Sequence, residues 1–234
     1  MIIQPIKTRI FQEGEDLFTF ITDYFKKIPE KSVMVVTSKI VALAEGRTAI
    51  AENVQAKEKL IRAESQFAMP TKYTWLTIKN GLVMPAAGID ESNANGKLIL
   101  LPKDSFKTAR LLRNKLRQKY DVKHLGVLIT DSRTIPLRAG VTGVALGYAG
   151  FRGIKDYRGQ PDIFGRKFKV SRTDIADSLA AAAVLVMGEG NEQQPLAIIK
   201  KAPLKFCDKI HSQELRIDIQ DDMYRPLFLK LPRF

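Results

Sequence analysis

The apolar run Gly126-Val127-Leu128-Ile129-Thr130, followed at once by Asp131-Ser132, constrains this chain more than any other stretch. A short, β-branched-rich run of this kind reads as a buried strand. A strand that delivers an aspartate to its C-terminal edge is a common way to hold a divalent cation rigidly. Downstream lie a basic, proline-broken turn (Arg133, Pro136, Arg138) and the small-residue stretch from Gly140 to Gly150. The segment Asp156 to Arg166 follows, and then a helix-like segment ending in Met187-Gly188-Glu189-Gly190-Asn191-Glu192. Carboxylates recur at the ends of apolar elements, with glycines and arginines beside them. That arrangement suits metal-assisted handling of phosphate.

Local signals order the rest of the chain. Gly14-Glu15-Asp16 precedes an amphipathic helix carrying Leu17, Phe18, Ile21, Phe25 and Ile28, predicted to stop before Pro29. Ser32 to Thr37 reads as a buried strand, and Ser38-Lys39 opens a short segment closing at Ala44-Glu45-Gly46-Arg47. A polar helix is predicted over about 53–67. Asn80-Gly81 between two apolar runs marks a hairpin, and 97–101 is a strand candidate. Asp104-Ser105 caps a helix to about Tyr120, and Thr173 or Asp174 caps the one that Gly188 ends. A last strand is predicted over 196–199. Residues beyond about 200 alternate only weakly (Leu215, Ile217, Ile219) and carry no assignable role. Without a regular strand–helix alternation, the pattern fits α+β or an irregular α/β fold.

At 234 residues the chain can bury one large core or two small ones. The longest apolar run, Leu179 to Met187, is too short to cross a bilayer. The N-terminus lacks the features of a signal peptide, and the single Cys207 fits a reducing compartment. The expectation is a cytoplasmic protein without a membrane partner. A formal net charge of +13 points to anionic partners. The cations are spread along the chain and no nucleic-acid recognition motif accompanies them, so nucleotides or phosphorylated cofactors suit it better.

Asp90, Asp131 and Glu189 each sit where an apolar element ends, and Ser132 could add a hydroxyl. Magnesium and similar hard cations prefer such oxygen ligands. Taken singly, each acid is more often a cap or turn residue. They gain weight together because rival chemistries lack their motifs. There is no phosphate-binding Gly-x-x-x-x-Gly-Lys-Ser/Thr loop and no Gly-x-Ser-x-Gly elbow. His124 and His211 are the only histidines, and Cys207 has no activating neighbourhood. Gly143, Gly147 and Gly150 lie inside an apolar stretch, where close backbone packing explains them better than a nucleotide fingerprint.

Several of these segments together resemble the coenzyme F420-0:L-glutamate (γ-glutamyl) ligase family. The likeness rests on Val36-Thr37-Ser38-Lys39-Ile40-Val41, Ala44-Glu45-Gly46-Arg47 and Ala87-Gly88-Ile89-Asp90-Glu91-Ser92-Asn93. It continues through Ile129-Thr130-Asp131-Ser132, the Gly159 to Arg166 segment, Ala176 to Ala183, and Val186-Met187-Gly188-Glu189-Gly190, over roughly residues 6–200 in the family's order. The resemblance implies an unusual two-domain α+β fold, with mixed sheets and flanking helices, that forms a homodimer. Residues 1–200 would make the ligase unit of two intertwined subdomains, with 201–234 an extension packed on it.

The implied activity is a GTP-dependent acid–amino-acid ligase that phosphorylates an acceptor carboxylate for attack by L-glutamate. Carried over, Asp90, Asp131, Ser132 and Glu189 would hold two divalent metals, Mg2+ or Mn2+, with K+ a further candidate cation. Thr8, Arg9, Ile10, Phe11, Ser38, Lys39, Asn93, Gly188, Glu189, Gly190, Asn191, Glu192, Gln193, Gln194 and Pro195 would contact GTP. Arg133 or Arg138 could neutralise a transferring phosphoryl group, and Arg138 joins Asp90, Asp131 and Glu189 as a catalytic candidate.

Two positions depart from the family's pattern: Leu43 where a lysine is usual, and Ile135 where an arginine is expected. Both leave the acceptor open between F420-0 and a folate-type cofactor, which also carries a carboxylate extended by γ-linked glutamates. Two more distant readings are a basic nucleic-acid-binding protein and a nucleotide-binding regulator without turnover.

Overall fold

The computed structural model describes residues 1–228; the last residues of the expected C-terminal extension, 229–234, lie outside it. Contacts divide the described residues into two compact units, Met1–Gly46 with Pro102–Glu214, and Arg47–Leu101 with 215–228. The described residues form an α+β structure with mixed sheets and six helices.

In the first unit the strands are β1 (Ile2–Ile6), β2 (Ser32–Thr37), β8 (Leu125–Thr134), β9 (Val141–Ala149) and β12 (Leu196–Lys200). They make one sheet in the order β1-β12-β2-β8-β9. Only the β2–β8 pairing is parallel, and β12 runs against both of its neighbours, so β1, β2 and β8 point the same way. One face carries α1 (Leu17–Tyr24), α2 (Ser38–Ala44) and α4 (Ser105–Tyr120) over a core that includes Phe20, Met34, Leu116, Val127 and Ile129. The other carries α5 (Ile175–Met187). A two-stranded ribbon, β10 (Ile154–Asp156) with β11 (Arg172–Asp174), precedes α5.

The second unit holds α3 (Val54–Ala63), the pair β3 (Thr48–Ala49) with β7 (Leu98–Ile99), and α6 (Arg225–Phe228). It also holds the antiparallel sheet β4 (Phe67–Pro70), β5 (Trp75–Lys79) and β6 (Leu82–Pro85). Trp75, Ile61, Ala87 and Leu98 anchor its core. Asn80 and Gly81 both have positive φ (54° and 79°), the backbone a tight two-residue hairpin demands.

Several elements differ from the sequence expectation. α1 ends at Tyr24, short of Ile28, because Phe25 turns extended; Phe25 and Ile28 still bury, but on a non-helical path into Pro29. α3 is likewise shorter than the predicted 53–67. β8 does not stop at Thr130: Asp131, Ser132, Arg133 and Thr134 stay paired with Val144, Gly143, Thr142 and Val141. Pairing with β9 therefore carries polar residues along a strand that hydrophobicity alone would end. β1 has no strong periodic signal and exists because β12 supplies its ladder.

The small residues of β9 serve packing, as expected. A Cβ on Gly143 would lie 2.4 Å from the Ala180 carbonyl oxygen of α5, and one on Gly147 would lie 2.5 Å from the Ser105 backbone of α4. A β-bulge at Ile129/Thr130 disturbs the β9 ladder, and the Ala145 amide donates instead to Asp177 Oδ1 of α5 at 2.9 Å.

Candidate functional site at the sheet edge

Register places the functional candidates of the first unit. In the parallel β2–β8 ladder Thr37 lies opposite Thr130, so the next residues, Ser38 and Asp131, emerge side by side. The Ser38 hydroxyl donates to Asp131 Oδ1 at 3.1 Å. The antiparallel ladders bring the start of β12 to the same edge, and the Thr37 amide donates to the Pro195 carbonyl at 3.0 Å. β1 ends there too: Ile6 pairs with Leu196, and the Thr8 amide donates to the Gln193 carbonyl at 2.9 Å. Four segments distant in sequence thus meet where the three co-directional strands finish. Open sheets commonly bind ligands beyond the carboxyl ends of such strands.

Successive residues of a strand face opposite sides. Asp131 therefore turns toward α2, while Ser132 turns toward the end of α5 and donates its hydroxyl to Glu189 Oε2 at 2.9 Å. Gly188 ends α5 at φ +85°, and a Cβ there would collide with the Glu192 carboxylate. Glu192 in turn accepts the Gly190 amide at 2.8 Å, which folds 188–192 into a compact loop. Asn191 and Gln193 are exposed on it, the latter at positive φ, with Gln194 leading into Pro195.

Other candidates have their own surroundings. The Arg9 guanidinium makes a forked contact with Glu15 and lies over the Phe20 ring, holding the Glu15 carboxyl below its usual range. Ile10 is exposed, whereas Phe11 is buried and packs edge-on against Phe20 in the core. Ser38 is buried, with Lys39 beside it half-buried in the first turn of α2. Arg138 closes the exposed β8–β9 connection, its amide bonded to the Ile135 carbonyl, and Leu137 next to it is fully exposed. In the second unit, Asp90 bridges to Ile99 through two backbone bonds, and its carboxylate accepts the Ser92 amide (2.7 Å) and hydroxyl (2.9 Å). Asn93 follows at positive φ.

The residues fit a hard cation by donor type, since Asp131, Glu189, Ser38 and Ser132 offer only oxygen. Thr130, on the same face as Ser132 and 1% exposed, has a buried hydroxyl with no partner, as does Arg133 Nε. Buried polar atoms are almost always paired, so each of these two has bonding capacity to spare. Within this unit, among the described residues, no three His, Cys, Asp or Glu side chains form a cluster by themselves; the carboxylates come paired with hydroxyls.

Residues 5–201 match the model of the F420-0:gamma-glutamyl ligase family. The chain belongs to this family. It is 33% identical to a coenzyme F420:L-glutamate ligase of Methanopyrus kandleri over 85% of this chain and 86% of the relative. It is 29% identical to one of Methanococcus maripaludis over 96% and 100% of the two chains, and 31% identical to one of Archaeoglobus fulgidus over 82% and 83%. Membership of this family makes the chain a ligase. No helix among the described residues is long and apolar enough to cross a membrane.

Some structural roles could not be read from the sequence. Arg47, the last residue of a family motif, is structural here: its Nε donates to the Leu101 carbonyl and its guanidinium pairs with Glu64, which also binds buried Lys79. Thr130 reads in sequence as just another strand residue. Asp174, predicted only as a cap, does cap α5 through the Asp177 amide, and burial pushes its carboxyl up to about 6.

Proposed function

We propose that the chain joins L-glutamate to a carboxylate of a cofactor in an amide bond of γ-glutamyl type, at the expense of GTP. The observation that carries this reading is the meeting of Thr8, Ser38, Asp131, Ser132, Glu189 and Pro195 at one sheet edge, in a member of a γ-glutamyl ligase family. In the first half-reaction an acceptor carboxylate oxygen attacks the γ-phosphorus of GTP and GDP leaves, giving an acyl phosphate. In the second, the amino group of glutamate attacks that carbonyl, loses a proton, and inorganic phosphate departs.

Asp131 and Glu189 would hold Mg2+ or Mn2+. A bound cation there would offset charge on the phosphoryl oxygens. The chain's own part is positioning: Ser38 fixes the Asp131 carboxylate and Ser132 fixes Glu189. The Thr8–Gln193 and Thr37–Pro195 bonds hold the nucleotide-facing segments against each other. Arg138, on the exposed β8–β9 connection, supplies a cation for the anionic substrates.

F420-0 is the acceptor by family. A folate-type acceptor is the second reading, favoured by two substitutions: Leu43 packs against the core instead of presenting a lysine, and half-exposed Ile135 replaces an arginine. Mass spectrometry of reactions holding GTP, Mg2+, glutamate and either F420-0 or a reduced folate tests both. A product one glutamyl residue heavier with one acceptor assigns it. No such product with either acceptor, over a range of Mg2+ and Mn2+, sinks the γ-glutamyl reading.

A further inference from the structure

Beyond the end of β12 the chain has almost no regular structure, yet 202–214 is bonded closely to the first unit. The Arg152 amide donates to the Lys205 carbonyl at 2.9 Å, Phe206 bridges to Phe151, and the Cys207 amide donates to the Gly150 carbonyl at 3.0 Å. Asp208 lies 2.7 Å from the Arg113 guanidinium, which is 4% exposed, and 3.2 Å from Arg117. Arg113 also donates to the Leu125 carbonyl at 2.7 Å. Among the described residues Asp208 is the only carboxylate paired with that buried cation.

Glu214 closes the segment with the more consequential contact. Its Oε1 accepts both the Tyr148 hydroxyl at 2.6 Å and the Gly153 amide at 2.8 Å. A Cβ at Gly153 would collide with the Tyr148 hydroxyl and lie 2.9 Å from Glu214 Oε1, so residue 153 has room for glycine alone. The Gly153 carbonyl in turn accepts the amides of Ile175 (2.7 Å) and Ala176 (3.2 Å). These are first-turn donors of α5, which have no partner within the helix. α5 then runs without a break to Gly188, and Glu189 beyond it takes the Ser132 hydroxyl.

We infer that residues 202–214 latch the N-terminus of α5, and that Glu214 is a positioning residue acting through Gly153 on the helix that carries Glu189. The segment follows the part of the chain matched to the family, so the latch is a role for residues to which that match assigns none. Its consequence for catalysis rests on Glu189 holding metal; the latch itself does not.

Hydrogen exchange of the full chain followed by mass spectrometry tests it, comparing wild type, E214A and E214Q. Gln keeps an oxygen able to accept both bonds, whereas Ala keeps none. In E214A the peptides spanning 153 and the first turn of α5 should exchange about tenfold faster, as expected for losing two accepted hydrogen bonds. Peptides from β2 and α4 should hold their protection, and E214Q should follow wild type. In the ligase assay, E214A should need several-fold more Mg2+ for half-maximal rate, with E214Q restoring it. If E214A does not fold, E214D, too short to reach both partners, is read in the same way. Unchanged exchange at the start of α5, a uniform rise across the unit, or E214Q behaving like E214A would overturn the inference. Loss of the ligase assay in wild type would remove only the reading of Glu189, since exchange reports the latch without turnover.

Discussion

Asp131 and Ser132 sit side by side in a paired strand yet serve opposite faces, one toward Ser38 and one toward Glu189. A strand holds its side chains more rigidly than a loop, and the proposed metal-binding role of Asp131 calls for that. Replacing Asp131 with Asn keeps the shape and the Ser38 contact but removes the charge. The rate should fall at least about hundredfold, beyond the usual cost of losing an outer-shell partner, with thermal stability little changed. A steady-state assay beside a melting curve checks both halves. Asp174 gives a second expectation. Burial raises its carboxyl from 3.8 to about 6, against the help of the Asp177 and Ala176 amides and of Arg133. A raised carboxyl means that the folded state binds more protons than the unfolded chain between those values. The charged form therefore weakens the fold, fully above pH 6 and not at all below about pH 4. Asp174→Asn, which keeps the cap acceptor, should melt higher than wild type at pH 7–8 and lose that advantage near pH 4. Equal melting temperatures across that range would refute the burial argument.

Elements with a strong local signal were legible from sequence, and those made by pairing were not. The Asp104 and Asp174 caps set the starts of α4 and α5, Gly188 stops α5, and Asn80-Gly81 sets the β5–β6 turn. β1 and the outer half of β8 exist because β12 and β9 offer backbone partners, a long-range fact that composition does not carry. The same holds for the site. Its acids could be picked out individually, but the register that brings Ser38 to Asp131 and Thr8 to Gln193 could not. The latch around Arg113 and Glu214 was invisible, because 202–214 has neither periodicity nor a motif. Gly143 was legible as a packing glycine, and its cost can be measured. Gly143→Ala sets a methyl against the Ala180 carbonyl of α5, so urea unfolding should show about 1–3 kcal/mol of lost stability. No loss would mean that α5 lies farther from β9 than described.

At the scale of the whole chain, the first unit has a sheet edge where four distant segments and two carboxylate–hydroxyl pairs meet. In the second, Asp90 is held at a strand edge by Ile99 and Ser92. The net charge of +13 is spread over both and suits anionic substrates without any nucleic-acid motif. The proposed reaction couples GTP cleavage to amide formation. The direct measurement is phosphate release from GTP by the purified protein with Mg2+ or Mn2+, omitting in turn glutamate, F420-0 and a reduced folate. Release that requires glutamate and one acceptor together, and disappears in Asp131→Asn, is the expected result. Phosphate release indifferent to glutamate and to every acceptor, or equally fast in Asp131→Asn, would contradict it.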